Sequence, residues 1–126
     1  VPEQEHVEIY GSPGRLSQVV TNLVTNAIDA SVPRGGGPIH VALTRGDASI
    51  DLSVTDSGSG IAPEHLPRIF EPMFTTKPFG QGTGLGLTIV RDVVTRDFGG
   101  RVEVTSTPGL GSTFTVRFPP LRGATP

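Results

Sequence analysis

Two asparagines and an aspartate, Asn22, Asn26 and Asp29, fall at i, i+4 and i+7 in "TNLVTNAIDA". At about 100° per residue that spacing lines them along one stripe of a helix, beside the apolar stripe, and brings two amides and a carboxylate to the rim of a core. Amides in mid-helix are poor helix formers, which favours a role in binding, although a solvated helix face has the same pattern. In "VTDSGSGI" an alternating apolar segment ends in Asp56, with Gly58 and Gly60 following. A strand-end carboxylate can accept hydrogen bonds from an amino group, and glycines allow a flat ligand to lie against the backbone; Asp-Ser-Gly is equally an ordinary Asx-turn. A third stretch, "FGQGTGLGLT", carries Gly80, Gly82, Gly84 and Gly86 into the start of a helix. Exposed backbone N–H groups at the positive end of a helix dipole make an anion cradle, and the same glycines would serve a hinge. Neither a Walker loop nor a dinucleotide fingerprint is present, because no Gly-Lys-Ser/Thr follows and no strand immediately precedes. Lys77, the one lysine among ten basic residues, adds a mobile cation close by.

Other residues carry less. His6, His40 and His65 are widely separated and without ligand-like partners, and no serine nucleophile elbow occurs. Phe70, Met73, Phe74 and Phe79 are expected to form a small apolar cluster belonging to the loop that contains them.

The elements that must hold these groups follow from periodicity and punctuation. Residues 6–10 read as a short edge strand, after which Ser12 caps a helix with Pro13 in its first position. Leu16, Val19, Val20, Leu23, Val24, Ala27 and Ile28 give that helix an apolar face over 14–31. Alternation around Gly46-Asp47 predicts a hairpin with strands 38–46 and 49–56. From 57 to 82 periodicity fails except for a helical turn near 64–69, and a connection of that length is expected to be functional. A second helix follows at 84–97, closed by Gly99-Gly100, then a hairpin at 101–106 and 112–118, and a frayed tail at 120–126. The order predicts an α/β fold, a two-layer sandwich whose mixed sheet is covered on one face by helices.

At 126 residues and 35% hydrophobic content the chain suits one domain, 1–126, with one core. It has no cysteine, which excludes disulfides and thiolate metal sites. A net charge of −2 supplies no field for nucleic acid or anionic lipid, so neither a nucleic-acid partner nor direct membrane contact is expected. With no long apolar run and no signal-peptide start, a cytoplasmic location is expected, whether or not a longer protein is anchored in a membrane.

Taken in order, "TNLVTNAIDA", "VTDSGSGI", "IFEPMFTTK", "GQGTGLGL" and "GSTFTVRFP" resemble the N box, first glycine box, F box, second glycine box and closing strand of the ATP-binding catalytic domain of sensor histidine kinases. That domain is part of the superfamily of gyrase B, mismatch-repair ATPases and the large heat-shock chaperones. The similarity spans residues 7–119, and the "FTTK" form resembles the nitrogen-regulation-like branch. The resemblance implies a Bergerat-type fold with a mobile ATP lid at 57–83, and ATP and Mg²⁺ as cofactors. It implies that Asp56 binds the exocyclic amine of adenine, assisted through water by Thr113, with Gly58 and Gly60 beside it. Asn26 would ligate Mg²⁺ and Asn22 could share in this; Asn22, Asp29 and Lys77 would surround the phosphates, while Gly82, Thr83, Gly84, Leu85 and Gly86 cradle them. Asn22, Asn26 and Lys77 are therefore the catalytic candidates. Superfamily ATPases have a glutamate where Asn22 stands, and an amide cannot act as a general base, so transfer to a protein acceptor is favoured over hydrolysis. None of the three histidines has the family's acceptor pattern, so the resemblance implies an upstream phosphoacceptor and dimerisation domain outside this chain, a response regulator downstream, and a monomeric fragment. A serine kinase, a slow ATPase and an ATP-sensing module without transfer are the competing readings.

Overall fold

The Ser12 hydroxyl accepts the Arg15 backbone N–H at 3.4 Å, and Pro13, whose missing N–H costs nothing in the first turn, opens helix α1, Pro13–Ser31. This is the arrangement in the computed structural model, which describes residues 11–45, 49–72, 74 and 86–119. A 3-10 turn at Val32–Arg34 ends on Gly35 in the left-handed region, with φ of 81°. Strands β1, Ile39–Arg45, and β2, Ile50–Asp56, form the first hairpin; a short 3-10 turn follows at Leu66–Arg68. Helix α2 spans Gly86–Asp97, and strands β3, Arg101–Thr107, and β4, Gly111–Phe118, complete the order. Gly99, at φ of 68°, turns the chain out of α2 so that the Gly100 N–H reaches the Val94 carbonyl at 3.0 Å, the closure expected of the Gly-Gly pair.

The sheet order is β1-β2-β4-β3. The α/β sandwich is as expected from the sequence, but all three pairings among the described strands are antiparallel rather than mixed. Two pairings are hairpins, and the connection through α2 brings β4 back beside β2 in the opposite sense. The strand expected at 6–10 lies outside the described residues, as do the Gly46-Asp47 turn and the tail at 120–126.

Strict alternation along β2 and β4 sorts the sheet into two faces. Ile50, Leu52 and Val54 of β2 and Phe114, Val116 and Phe118 of β4 face the helices, where Val19, Leu23 and Ala27 of α1 and Val90, Val93 and Val94 of α2 meet them. Phe98 closes the far end edge-to-face on Phe118, with ring centroids 5.2 Å apart. The opposite face is polar. There Arg117 joins Asp51 of β2 to Glu103 of β3, the latter at 3.0 Å, and Arg101 adds a 2.9 Å contact to Glu103.

The hydrogen bond from Arg117 holds the Glu103 carboxyl below the usual glutamate range; partial burial opposes this, and the charges of Arg117 and Arg101 add to it. A depressed pKa means that the unfolded chain binds more protons in the window between the two values, so this contribution is complete above the ordinary glutamate pKa and is lost as pH falls through the folded one. Urea midpoints measured at descending pH should therefore fall less steeply in Glu103→Gln than in the wild type over that window, and the difference should shrink at 1 M salt. Parallel curves would show that the bridge across the sheet does not couple folding to protonation.

Candidate functional site

Helix α1 runs unbroken through Asn22, Asn26 and Asp29, so the three share one side of it, and each is half-buried. The first of the three reaches α2. Asn22 Nδ2 donates to the carbonyl of Gly86, the first residue of α2, at 3.3 Å. A carbonyl can only accept, so this bond fixes the amide with nitrogen toward α2 and leaves the oxygen as the group available to a ligand.

At the adjacent end of the sheet β2 delivers Asp56, which is 4% exposed although it is a carboxylate. Its Oδ1 accepts the Gly58 N–H at 2.8 Å, so the Asx-turn offered by Asp-Ser-Gly does form and orients the carboxylate that closes the strand. Across the sheet the register partner of Asp56 is Ser112, which is 6% exposed and on the same face.

Thr113, expected to assist Asp56, does not stand beside it. It is paired with Thr55 and lies on the polar outer face, where the two hydroxyls are 3.0 Å apart. The side-chain period of two explains the correction: Ser112, Phe114, Val116 and Phe118 are of one parity and buried, and Thr113 is of the other. Ser112 is thus the hydroxyl that sequence reasoning missed. Counting from the apolar residues of β4 back toward its start would have found it.

The glycines after Asp56 also have a different reason from the one expected. A Cβ on Gly58 would stand 2.3 Å from the Ala30 carbonyl oxygen of α1, and one on Gly60, at φ of +77°, would stand 2.3 Å from the Thr107 carbonyl oxygen. The segment threads between the end of α1 and the β3–β4 turn, with Ser59 N–H to the Ala30 carbonyl at 3.3 Å and Gly109 N–H to the Ser59 carbonyl at 2.7 Å. Chain crossing fills the space where side chains would be.

The first part of the expected lid is anchored. Ile69 is buried in the core, and Phe70 stands edge-to-face on Phe114 with centroids 6.4 Å apart, so Phe70 belongs to the sheet and not to a separate loop cluster. Thr88 of α2 donates its hydroxyl to the Phe70 carbonyl at 2.9 Å. Phe74 sits against His65 and under the Arg68 guanidinium, 4.6 Å from ring centre. Met73 and Phe79 lie outside the described residues, and so do Lys77, Gly82, Thr83, Gly84 and Leu85. Gly86 is exposed at the head of α2, with open space where a Cβ would stand.

What is gathered here is a buried strand-end carboxylate with a buried serine opposite it, and a helix stripe of two amide oxygens and a carboxylate. The first pair offers hydrogen-bond acceptors for a base-like group, and the second a set of oxygen donors of the kind a hard divalent ion accepts. No helix among the described residues is long and apolar enough to cross a membrane.

Residues 11–122 match the family model described as histidine kinase-, DNA gyrase B-, and HSP90-like ATPase. The sensor histidine kinase ZraS of Escherichia coli (strain K12) is 47% identical over 112 residues, which are 89% of this chain and 23% of ZraS. Sporulation kinase A of Bacillus subtilis (strain 168) is 37% identical over 117 residues, 93% of this chain and 18% of that protein. The chain thus spans about a quarter or less of the length of these relatives. Among solved structures, the nucleotide-free catalytic domain of histidine kinase ThkA superposes with a TM-score of 0.77 at 34% identity, covering 93% of this chain and 74% of that one. Full-length ShkA in complex with AMPPNP gives 0.78 at 32% identity, covering 91% and 23%.

The crossing predicts that Gly58→Ala, whose backbone is otherwise permissive, lowers stability by about 1–3 kcal/mol through overpacking, as read from urea unfolding. A neutral substitution would mean that α1 and the loop separate more easily than their contact distances indicate.

Proposed function

Because the chain belongs to the histidine kinase-, DNA gyrase B- and HSP90-like ATPase family, we propose that it binds Mg·ATP as the catalytic module of a sensor histidine kinase and transfers the γ-phosphoryl group to a histidine on a separate domain. The observation that carries this reading is the buried Asp56 carboxylate facing Ser112 at the mouth of a sheet whose helical cover presents Asn22, Asn26 and Asp29.

In this reading Asp56 accepts a hydrogen bond from the exocyclic amine of adenine, with Ser112 in the assisting place first given to Thr113. Burial makes the carboxylate selective, since an unpartnered acceptor left dry costs about 1–3 kcal/mol and a base carrying a carbonyl there leaves it so. Asn26, with Asn22 and Asp29, would hold Mg²⁺ through oxygen and, through that ion, the phosphates; an ion bound there would neutralise charge on the transferring group. Lys77, Gly82, Thr83, Gly84, Leu85 and Gly86 would surround the phosphates. Transfer forms a P–N bond to the acceptor imidazole, breaks the bond from the γ-phosphorus to the bridging oxygen and releases ADP. Positioning and charge neutralisation are the chief needs of such a step, so a site with no general base of its own suffices when the acceptor is an imidazole. Asn22 is an amide, and its bond to Gly86 leaves the nitrogen committed to α2. That supports transfer over hydrolysis.

The upstream phosphoacceptor domain and a downstream response regulator are the partners. Incubating the domain with Mg·ATP and a dimerisation domain bearing its acceptor histidine should give acid-labile protein phosphate. ATP binding without transfer would favour a nucleotide-sensing module, acid-stable phosphate a serine kinase, and free phosphate an ATPase. Separately, Asp56→Asn should weaken ATP binding by about 1–3 kcal/mol in calorimetric titration, because the amide puts a donor or a poorer acceptor against the amine. Unchanged affinity would move the base pocket elsewhere.

A further inference from the structure

Ser106 of β3 is the register partner of Ser112, and its one hydroxyl group has three polar neighbours. The Ile61 backbone N–H donates to Ser106 Oγ at 2.7 Å, the Gly111 carbonyl oxygen lies 3.1 Å from it, and Ser112 Oγ lies 2.8 Å from it. A hydroxyl has one proton and two lone pairs. The carbonyl can only accept, so the Ser106 proton goes to Gly111. The amide can only donate, so it occupies one lone pair of Ser106. What remains on Ser106 is a second lone pair, and the 2.8 Å contact therefore requires Ser112 to be the donor.

That count has an effect at Asp56. With its proton turned toward Ser106, Ser112 has only lone pairs left for anything that meets it. Asp56, opposite Ser112 in register, adds carboxylate oxygens, which serve as acceptors. The two together make a corner that accepts hydrogen bonds and cannot give one.

We propose that Ser106 is a positioning residue for base recognition: by holding the Ser112 proton it keeps this corner acceptor-only, matched to an amino group or to a water passing its protons inward, and mismatched to a carbonyl oxygen. The inference rests on the reading of Asp56 as the base contact. Were Ser106 without its hydroxyl, the Ser112 O–H would be released to rotate, and a hydroxyl that can donate satisfies a 6-oxo purine as readily as a 6-amino one. Discrimination at the buried pair thus depends on a residue that has no need to touch the base.

The test is calorimetric titration with Mg·ATP and with Mg·ITP, its 6-oxo counterpart, on the wild type, Ser106→Ala, Ser106→Thr, Ser112→Ala and the double alanine variant. The wild type should prefer ATP. Ser106→Ala should reduce the ATP-to-ITP preference about 2- to 10-fold, the span of one hydrogen bond. Ser106→Thr, which keeps the hydroxyl, should retain the preference, and adding Ser106→Ala to Ser112→Ala should change it no further. If Ser106 only buttresses the loop at Ile61, both nucleotides weaken together and the ratio is unchanged; that result overturns the inference and leaves the base contact standing. A wild type that binds ATP no better than ITP overturns the base contact itself, and this inference with it.

Discussion

A carboxylate that is 4% exposed must be solvated by the protein, and the end of this sheet is organised around that need. Asp56 is held by the N–H of Gly58, two residues on, which commits the chain to a tight turn as soon as β2 ends. The turn brings the segment under the last residues of α1, and so dictates glycine at 58; it then carries the chain to the β3–β4 turn, and so dictates glycine at 60. A third glycine completes the crossing, since a Cβ on Gly111 would lie 2.1 Å from the carbonyl oxygen of Asp56 itself. One buried carboxyl group thus sits where three close backbone approaches meet.

The helical layer is tied to the same end by few but directed bonds. Asn22 reaches the first carbonyl of α2, and Thr88 reaches back from α2 to the backbone at Phe70. Each bond joins a residue of one element to the boundary of another, so the start of α2 is fixed relative to α1 on one side and to the loop on the other. The apolar contact between the layers is undirected: Val19, Leu23 and Ala27 in one core with Val54 and Phe114 supply burial but leave rotation and sliding open. Directed bonds at the site end supply what the core does not.

Much of this was legible in the sequence. Ser12 and Pro13 mark the start of α1 within a residue of the 14–31 expected, and the alternation of 49–56 and 112–118 locates β2 and β4 within a residue. The asparagine stripe, the strand-end aspartate and the glycine pair were visible as a pattern, because helical and strand periods fix which residues share a face. What was misread depends on pairing rather than period. That Ser112, and not Thr113, shares the face of Asp56 follows from carrying parity from Phe114 back to the start of the strand, and that information is in the sequence. The antiparallel sense of β2 against β4, the contact of Phe70 with Phe114, and the crowding at Gly58 and Gly60 involve residues dozens of positions apart. No local pattern carries them. Ser106 lies six positions from Ser112, across the turn of the second hairpin, so that pair is local; its contact with the Ile61 N–H, 45 positions away, is the part that no local pattern carries.

The crossing at Gly58, Gly60 and Gly111 is backbone against backbone. Separations there are set by covalent geometry and by carbonyl radii, whereas separations in the core are set by the volumes of side chains that can be exchanged for one another at modest cost. Exchanging Val, Ile and Leu beneath α1 and α2 changes side-chain volume alone, whereas at the crossing any side chain at all meets a backbone carbonyl. The two parts of the fold thereby differ in tolerance: the core accepts exchanges of similar volume, and the strand end beside Asp56 accepts nothing larger than glycine without a shift of backbone.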